Sequence, residues 1–276
     1  MMRGMFAAIS GLRMHQTMLD VTASDIANVN TIGYKSERTT FKDSLYQNIR
    51  GASAPGTSLG GTNPAQIGLG VQLGSIDNLM SPGAIQSTGN QTDMAVQGEG
   101  WFRVTNDPTG FAAGSIYYTR AGNFSRDSNG DLVTSDGYYL VGNTAALAGG
   151  TSTKVNIPAN ATSVSIDPKG AVTVVTPTGT TTTYVTLAKF PNEQGLTREG
   201  GNRFSVSNNS GTPLVSTPGD AAQGFGTVTT GAIEMSNVDL AQEFTNLITA
   251  QRGFQANSRV ITTADDMLQE LVNLKR

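Results

Sequence analysis

The sequence predicts an α+β fold in which long N- and C-terminal α-helices pair as a coiled coil, with a mainly antiparallel β domain inserted between them. Apolar residues recur every seven positions near both ends of the chain, and turn signals recur about every ten residues in the middle. We therefore expect residues 1–30 and 236–276 to form one helical domain, residues 31–75 an extended connector, and residues 76–235 a β-rich domain.

The C-terminal stretch carries the stronger helical pattern. Ser236 is followed three places later by Asp239, which predicts a capping box, and Lys275 and Arg276 suit a helix C-terminus. A long helix of this kind needs a packing partner along its apolar side. Its predicted seam residues are Leu240, Phe244, Leu247, Phe254, Ile261, Leu268 and Val272.

The N-terminal stretch repeats the same spacing, so we expect it to pair with the C-terminal helix. Polar residues at seam positions, such as Gln16, Gln251 and Asp265, weaken the pairing, and identical neighbouring chains could supply further packing. The alternative is a parallel or antiparallel helix pair that only closes a monomer. The predicted N-terminal seam residues are Met5, Ile9, Leu12, Leu19 and Ile26.

The segment after the first helix is harder to interpret. Phe41, Leu45 and Ile49 are spaced four apart, which favours a short helix within residues 36–50. Residues 51–70 are rich in Gly, Ser, Thr and Pro, a composition that is typical of an extended connector.

The middle of the chain contains strand and hairpin signals. Turn sequences at 129–130, 136–137, 168–170 and 177–179 each separate short runs of β-branched and aromatic residues. This pattern predicts a compact antiparallel β domain of the sandwich or barrel type.

The composition excludes several classes of site. The chain has 276 residues, a net charge of −3 and no cysteine, which excludes disulfides and thiolate metal sites. A small net charge without a basic run argues against nucleic acid as a partner. No apolar run has the length of a membrane span, and no cleavable signal sequence is recognisable.

We expect no catalytic site, no cofactor and no metal. His15 is the only histidine, and we interpret it as a polar residue on a helix surface. The glycines at 68–70 and 98–100 lack the completion of a phosphate loop, and residues 127–131 lack the spacing of an EF-hand. Carboxylates such as Asp93 and Glu99 are common in turns for local hydrogen-bonding reasons.

Several motifs resemble those of bacterial flagellar rod and hook proteins. They lie at the end of the first helix, within residues 87–102 and 118–124 of the β domain, and at the start and middle of the last helix. The positions that carry the resemblance at the two ends are Ala27, Asn28, Asn30, Thr31, Gly33, Tyr34, Ser236, Asn237, Gln251, Arg252 and Asn257.

Within this family the chain is most similar to hook proteins, in residues 60–70 and 266–276, although it is shorter than many and lacks an extra outer domain. The resemblance implies a structural subunit that self-assembles into a flexible helical tube and transmits motor torque to the filament. The alternative is a distal rod protein, the subunit of a straight drive shaft.

The resemblance also implies a location and partners. The terminal helices would form the inner core of the tube, outside the cell, in the hook and basal body. The partners would be further copies of the chain, the distal rod, the hook cap, the hook–filament junction proteins and the flagellar type III export apparatus, without membrane insertion.

Two other classes of function remain open at this point. The β domain could carry an enzyme, although catalytic groups are missing, or it could be an adhesin that binds through surface aromatic residues. Removal of the terminal helices would distinguish these classes, because an enzyme or adhesin should stay active, whereas a hook subunit should lose polymerisation. The aromatic residues considered for an adhesin are Trp101, Tyr117, Tyr118, Tyr138 and Tyr139.

Overall fold

The computed structural model describes residues 2–56, 60–107, 111, 113–145 and 151–274, and the chain divides into two compact units. The helical unit consists of Met1–Ala27, Glu37–Asn78 and Asp239–Arg276, and the β unit consists of Asn28–Ser36 and Leu79–Val238. The chain therefore passes between the two units four times. Of the predicted connector, residues 31–36 belong to the β unit and residues 37–75 to the helical unit.

The helical unit confirms the prediction of two long terminal helices that pack together. Whether they form a coiled coil stays a prediction. The elements of this unit are α1 (Met2–Ala27), β1 (Glu37–Asp43), β2 (Tyr46–Arg50), β3 (Ala65–Gly68), β4 (Val71–Asn78) and α2 (Leu240–Asn273).

The start of α2 differs from the predicted capping box. Asp239 is the N-cap, and its Oδ1 accepts hydrogen bonds from the backbone N–H groups of Ala241 (2.9 Å) and Gln242 (3.3 Å). Ser236 lies outside the helix, where its hydroxyl accepts a hydrogen bond from Val238 N (3.3 Å). The capping-box prediction is therefore wrong by three residues, because Asp239 itself supplies the capping oxygen. Lys275 and Arg276 lie outside the described residues.

The two helices run antiparallel and approach closely at two glycines. A Cβ on Gly11 would lie 2.7 Å from Asn257 Nδ2, and a Cβ on Gly253 would overlap the imidazole ring of His15. Because the earlier residue of α1 faces the later residue of α2, the chains run in opposite directions. Small residues thus permit a close approach of the two backbones, and the imidazole of His15 covers Gly253 rather than pointing into solvent.

The prediction of a short helix within residues 36–50 is wrong. These residues form β1, which pairs antiparallel with β4, and β2, which pairs antiparallel with β3. The four-residue apolar spacing wrongly indicated a helix. β1 contains Thr39, Thr40 and Phe41, residue types that favour strands when a partner strand is available. The ring of Phe41 meets His15 of α1 edge to face, with 6.1 Å between ring centroids.

The β unit is mainly antiparallel, as predicted. In the described part of the chain its largest sheet has thirteen strands, along the order β13-β14-β15-β11-β7-β8-β18-β17, with β9, β10, β12, β16 and β19 attached at the sides. The separate pairs β5–β21 and β6–β20 bring the two ends of the unit together. The strands are β5 (Ile85–Ser87), β6 (Met94–Gln97), β7 (Trp101–Thr105), β8 (Ile116–Thr119), β9 (Ser125–Arg126), β10 (Leu132–Val133), β11 (Tyr139–Asn143), β12 (Ser152–Lys154), β13 (Ser163–Ile166), β14 (Ala171–Thr176), β15 (Gly179–Val185), β16 (Leu187–Lys189), β17 (Thr197–Gly200), β18 (Arg203–Ser205), β19 (Leu214–Ser216), β20 (Thr227–Thr230) and β21 (Ala232–Glu234), with 3-10 turns at Ala113–Ser115 and Glu193–Gly195.

All four predicted hairpin turns are confirmed. They connect β9 to β10, β10 to β11, β13 to β14, and β14 to β15, and each connected pair is antiparallel. Gly130, Gly137 and Gly170 have positive φ angles, which tight turns require and which glycine adopts without steric cost.

Strand β7 separates two hydrophobic clusters. Its residues are all buried, and alternate side chains point to opposite faces of the sheet. Phe102 packs edge to face on Phe124, with 5.4 Å between centroids, in the larger cluster. Trp101 packs on Phe204, with 4.9 Å between centroids, in the smaller one. The aromatic run in the sequence thus belongs to a strand that is covered on both faces.

The contact between the helices gives a testable prediction. Gly253→Ala should lower the free energy of unfolding by about 1–2 kcal/mol, because overpacking costs about 1–3 kcal/mol and offsets the higher helix propensity of alanine. Gly4→Ala is the matched control. A Cβ on Gly4 meets nothing within 4 Å, so this variant should be unchanged or stabilised by up to about 1 kcal/mol.

The measurement is urea denaturation of the purified chain, followed by circular dichroism at the helical band. Equal stabilisation by both alanine substitutions would contradict a close approach of α1 and α2 at Gly253.

Candidate functional site: a buried ion-pair centre and an exposed helical face

Three charged residues form a buried cluster in the β unit, close to the points where the chain enters and leaves this unit. The Lys35 ammonium contacts Glu234 Oε1 at 2.6 Å, and the Arg120 guanidinium contacts Glu234 Oε2 at 3.4 Å. The side chains of Lys35 and Glu234 are 0% and 1% exposed. Lys35 also donates to Ser81 O (2.9 Å), and Gly83 N–H donates to Glu234 Oε1 (2.9 Å). Three of the stretches that resemble flagellar proteins therefore meet at one carboxylate.

Burial has a clear electrostatic consequence at this centre. Removal from water lowers the pKa of Lys35, and the attraction of the Glu234 carboxylate offsets only part of that shift. The centre holds two cations and one anion, so Glu234 is the group that compensates both buried positive charges. Removing one member of a buried pair usually costs much more than the pair contributes, because the remaining charge stays uncompensated.

Asn237 connects the places where the chain enters and leaves the β unit. Its Oδ1 accepts a hydrogen bond from Ser36 N (2.7 Å), and its Nδ2 donates to Leu79 O (2.8 Å). The backbone N–H of Leu79 donates in turn to Ser36 O (2.8 Å). The amide of Asn237 has one acceptor and two donors, and it therefore joins three separate chain segments at once. We call Ser36, Leu79 and Asn237 the junction residues.

The turn at residues 31–35 is fixed by its backbone conformation. Gly33 has a φ of 68°, and a Cβ there would collide with the backbone of Ala121. Its N–H donates to Glu234 O (2.8 Å), and Asn202 Nδ2 donates to Ile32 O (2.7 Å). Arg198 donates to Lys35 O and stacks over the Tyr34 ring, with 5.0 Å between the guanidinium carbon and the ring centroid. Glycine is thus required at position 33 on steric grounds.

The predicted seam residues divide into two groups in the single chain. All five on α1 are half-buried, as are Leu247, Ile261 and Leu268 on α2. Leu240, Phe244, Phe254 and Val272 are exposed. The face of α2 that packs on α1 instead includes small residues, with Ala250 and Ala264 buried and Gly253 and Asn257 half-buried. The assignment of these residues to a polymer core stays a prediction.

Exposed apolar side chains are concentrated in the helical unit. Among the described residues of the β unit, only Ile85, Val175, Val206 and Leu214 are large, apolar and exposed. Soluble monomers rarely leave extended apolar patches uncovered, so such patches usually indicate a contact surface. The exposed large apolar residues of the helical unit are Met2, Phe6, Phe41, Leu45, Tyr46, Ile49, Ile67, Leu69, Leu73, Ile76, Leu240, Phe244, Ile248, Phe254, Val260, Met267, Leu271, Val272 and Leu274.

The residues that carried the family resemblance fall into both units. Gly33, Tyr34 and Asn237 lie around the ion-pair centre, and the Asn28 side chain accepts a hydrogen bond from the Thr31 hydroxyl (3.1 Å) in the turn before it. Asn257 packs against Gly11 between the helices. The remaining positions are exposed or half-buried: Ala27, Asn30, Gln251 and Arg252 are exposed, and Ser236 is half-buried.

Sequence reasoning did not select the charged members of the centre as site residues. Lys35, Arg120 and Glu234 lie next to apolar or aromatic residues in a chain with only 14% charged residues. A charged residue inside a strand-like apolar stretch is a usable signal, because burial of a charge requires a partner. The sequence did not reveal which residues would pair, since Lys35 and Glu234 are separated by most of the chain.

The structure gives local roles to the groups considered for chemistry or binding. Asp127 Oδ1 accepts hydrogen bonds from Asn129 N and Asp131 N, and Asp131 is paired with Lys154 at 2.5 Å. Trp101 and Tyr118 are buried, which removes them from any adhesive surface. The described residues contain no cluster of three or more His, Asp or Glu side chains suited to a metal ion. Within the same residues, neither helix combines the length and apolar character of a membrane span.

Comparison with protein families defines the class. The model of the flagellar hook protein FlgE/F/G D1 domain matches residues 95–174, within the β unit. The model of the flagellar basal body rod FlgEFG protein C-terminal region matches residues 229–274, and that of the flagella basal body rod protein matches residues 5–35. The protein is thus a structural component of the flagellum and not an enzyme.

Whole-length relatives give the same result. The chain is 48% identical to the flagellar basal-body rod protein FlgG of Bacillus subtilis over 100% of both chains. It is 41% identical to FlgG of Agrobacterium fabrum, over 96% of this chain and 97% of the relative. It is 28% identical to the flagellar hook protein FlgE of Borreliella burgdorferi, over 100% of both. The chain belongs to the family of flagellar rod and hook proteins.

The asymmetry of charge at the ion-pair centre gives a testable prediction. Glu234→Gln leaves Lys35 and Arg120 buried without an anion, so it should lower the free energy of unfolding by about 3–5 kcal/mol. Lys35→Met keeps the Arg120–Glu234 pair and should cost clearly less. Asp77→Asn is the control, because its partner Arg38 has an exposed side chain and such pairs contribute about 1 kcal/mol or less.

Chemical denaturation of the three variants measures this order. A smaller loss of stability for Glu234→Gln than for Lys35→Met would contradict the role of Glu234 as the shared counter-ion.

Proposed function

We propose that this protein is a subunit of the distal rod, the straight drive shaft of the flagellar basal body, and that it acts by self-assembly into a helical tube. The main observation in support of self-assembly is that the exposed large apolar residues are concentrated in the helical unit. A contact between two different surfaces of identical subunits generates an open helical polymer when its rotation does not close into a ring. The helical unit would then provide the polymer core.

The hairpin of β2 and β3 supports assembly independently. All five residues of β2 and three of the four residues of β3 are exposed, and Tyr46, Ile49 and Ile67 present apolar surface. An isolated two-stranded hairpin is marginally stable in water, and it gains stability when it packs against another surface. A neighbouring subunit would supply that surface in an assembled tube.

The relatives favour a rod over a hook subunit. The matches to rod proteins named FlgG reach 48% identity with coverage of both chains at 96% or more. The hook protein of Borreliella burgdorferi aligns over 449 positions, so it contains insertions relative to this chain of 276 residues. The hook function that the sequence first favoured is therefore the alternative. In either role, the partners would be further copies, adjacent rod and hook proteins and the flagellar export apparatus.

Electron microscopy of basal bodies tests the function. Deletion of the gene for this chain should leave rods that end before their distal segment, with no hook attached. Complete rods without hooks would favour the hook alternative. Intact hooks on complete rods would exclude both. Re-expression of the wild-type chain is the control and should restore the full structure.

Substitutions at two nearby residues of α2, Phe244 and Leu247, should distinguish an effect on assembly from an effect on folding. Phe244 is 51% exposed in the single chain, so Phe244→Ser should change the free energy of unfolding by only about 0.5 kcal/mol. The same variant should abolish motility, because the lost side chain belongs to the contact surface. Leu247→Ser is the matched variant. Leu247 is half-buried, so this substitution should destabilise the monomer itself by about 1–3 kcal/mol.

Urea denaturation and swimming assays measure the two effects. A motile strain carrying Phe244→Ser, with the variant present at normal abundance, would contradict the role of this surface.

A further inference from the structure

The C-terminal end of α2 extends beyond the start of α1. Gly11 faces Asn257 and His15 faces Gly253, and the same antiparallel register places Met2 of α1 near Asp266 of α2. Within the described residues, no part of α1 (Met2–Ala27) therefore lies opposite the last turns of α2. Leu271, Val272 and Leu274 are 51%, 68% and 82% exposed. An apolar helix end that lacks a partner within its own helix pair needs another surface to cover it.

The overhanging end has one apolar stripe with an acidic residue in it. Met267, Leu271 and Leu274 are spaced four and three residues apart, so they share one face of α2. Glu270 lies three residues after Met267 and four before Leu274, which places it beside that stripe. We call these four residues the overhang stripe.

An apolar groove of about 560 Å³ lies elsewhere in the same unit, between α1 and β4. Its apolar lining comes from Phe6, Ile9, Met14, Val71 and Leu73, and Arg13 contributes the charge in its lining. The floor is held together by a hydrogen bond from Val71 N to the Ser10 hydroxyl (3.2 Å). A groove of this volume is large enough to receive several apolar side chains.

We propose that the overhang stripe of one copy docks in the α1–β4 groove of a neighbouring copy, with Glu270 facing Arg13. The three apolar side chains of the stripe match the apolar lining, and the charges are of opposite sign. The inference rests on the proposed self-assembly and names one of its contacts. Because stripe and groove are different surfaces, the contact is heterologous, the type that continues from subunit to subunit in a helical polymer.

The contact cannot form within one chain. In the antiparallel register Arg13 lies opposite residue 255, so Glu270 is fifteen residues further along α2, or roughly 22 Å at 1.5 Å per residue. The same reasoning separates Ile9 from Leu271 by roughly 18 Å along the helix pair, far more than the ~7 Å that a disulfide can bridge between Cα atoms. A disulfide between these two positions would therefore have to join two copies.

Cysteine cross-linking tests the contact directly, because the chain has no cysteine of its own. The double variant Ile9→Cys with Leu271→Cys should be expressed as the sole copy in the source bacterium, and basal bodies should be isolated and oxidised. Non-reducing electrophoresis should then give a ladder of dimers, trimers and longer products. Each single variant should give at most a trace of dimer.

The matched control combines Ile9→Cys with Gln251→Cys, since Gln251 is exposed on α2 but lies outside the overhang. Assembled rods that give no ladder with the Leu271 pair, or an equal ladder with the Gln251 pair, would overturn this docking and leave the proposed function intact. Wild-type chain absent from isolated basal bodies would overturn the proposed function and this inference with it. Cross-links to a different flagellar protein in place of a ladder would also overturn it.

A charge exchange tests the polar part of the contact. Arg13→Glu should place two carboxylates together and reduce swimming at least tenfold, and Arg13→Glu with Glu270→Arg should restore it. Both residues are exposed, so circular dichroism of the purified variants should match the wild type. Failure of the double exchange to restore swimming, with both variants folded, would overturn the pairing of Arg13 with Glu270.

Discussion

The buried Glu234 carboxylate is the constraint on which the β unit depends. It compensates Lys35 and Arg120, accepts a hydrogen bond from the backbone of Gly83, and lies at the end of β21, one strand of the pair that closes the unit. Separation of the Glu234 carboxylate from these two cations would leave buried charges uncompensated in a medium of low dielectric constant, which is costly. The segment that follows α1 is therefore held in the β unit by electrostatics as well as by packing, and the positive φ of Gly33 turns the chain toward that position.

The two units differ in how completely they bury their apolar side chains. The β unit encloses aromatic and branched residues on both sides of β7, so its apolar surface is largely internal. The helical unit brings α1 and α2 together through Gly11 and Gly253, where small residues allow the two helices to approach closely. Large side chains such as Phe244 and Ile248 are left at the periphery. Incomplete burial in a monomer is a cost for stability, and it is also the property that makes association with identical chains favourable.

The sequence was most informative where local chemistry decides the structure. Turn residues with positive φ marked the hairpins at Gly130 and Gly170, and the seven-residue spacing marked both helices, because these signals depend on neighbours within a few positions. It failed for β1, whose strand form depends on pairing with β4, and at Ser236, where Asp239 competes for the same capping role. The pairing of Lys35 with Glu234 and the positions of the packing glycines depend on residues far apart in the chain. Such contacts are set by the fold as a whole, and no local pattern encodes them.

The junction residues affect how the protein bears a mechanical load. Ser36, Leu79 and Asn237 stand next to three of the four places where the backbone passes between the units, and hydrogen bonds tie the three to one another. A pull on one of these segments is therefore shared with the other two, and several bonds must break together before any segment can peel away from the β unit. Resistance to forced extension is governed by the rate of such cooperative rupture rather than by equilibrium stability. In the rod subunit proposed above, a load on the β unit would thus be divided among three chain segments instead of being carried by one.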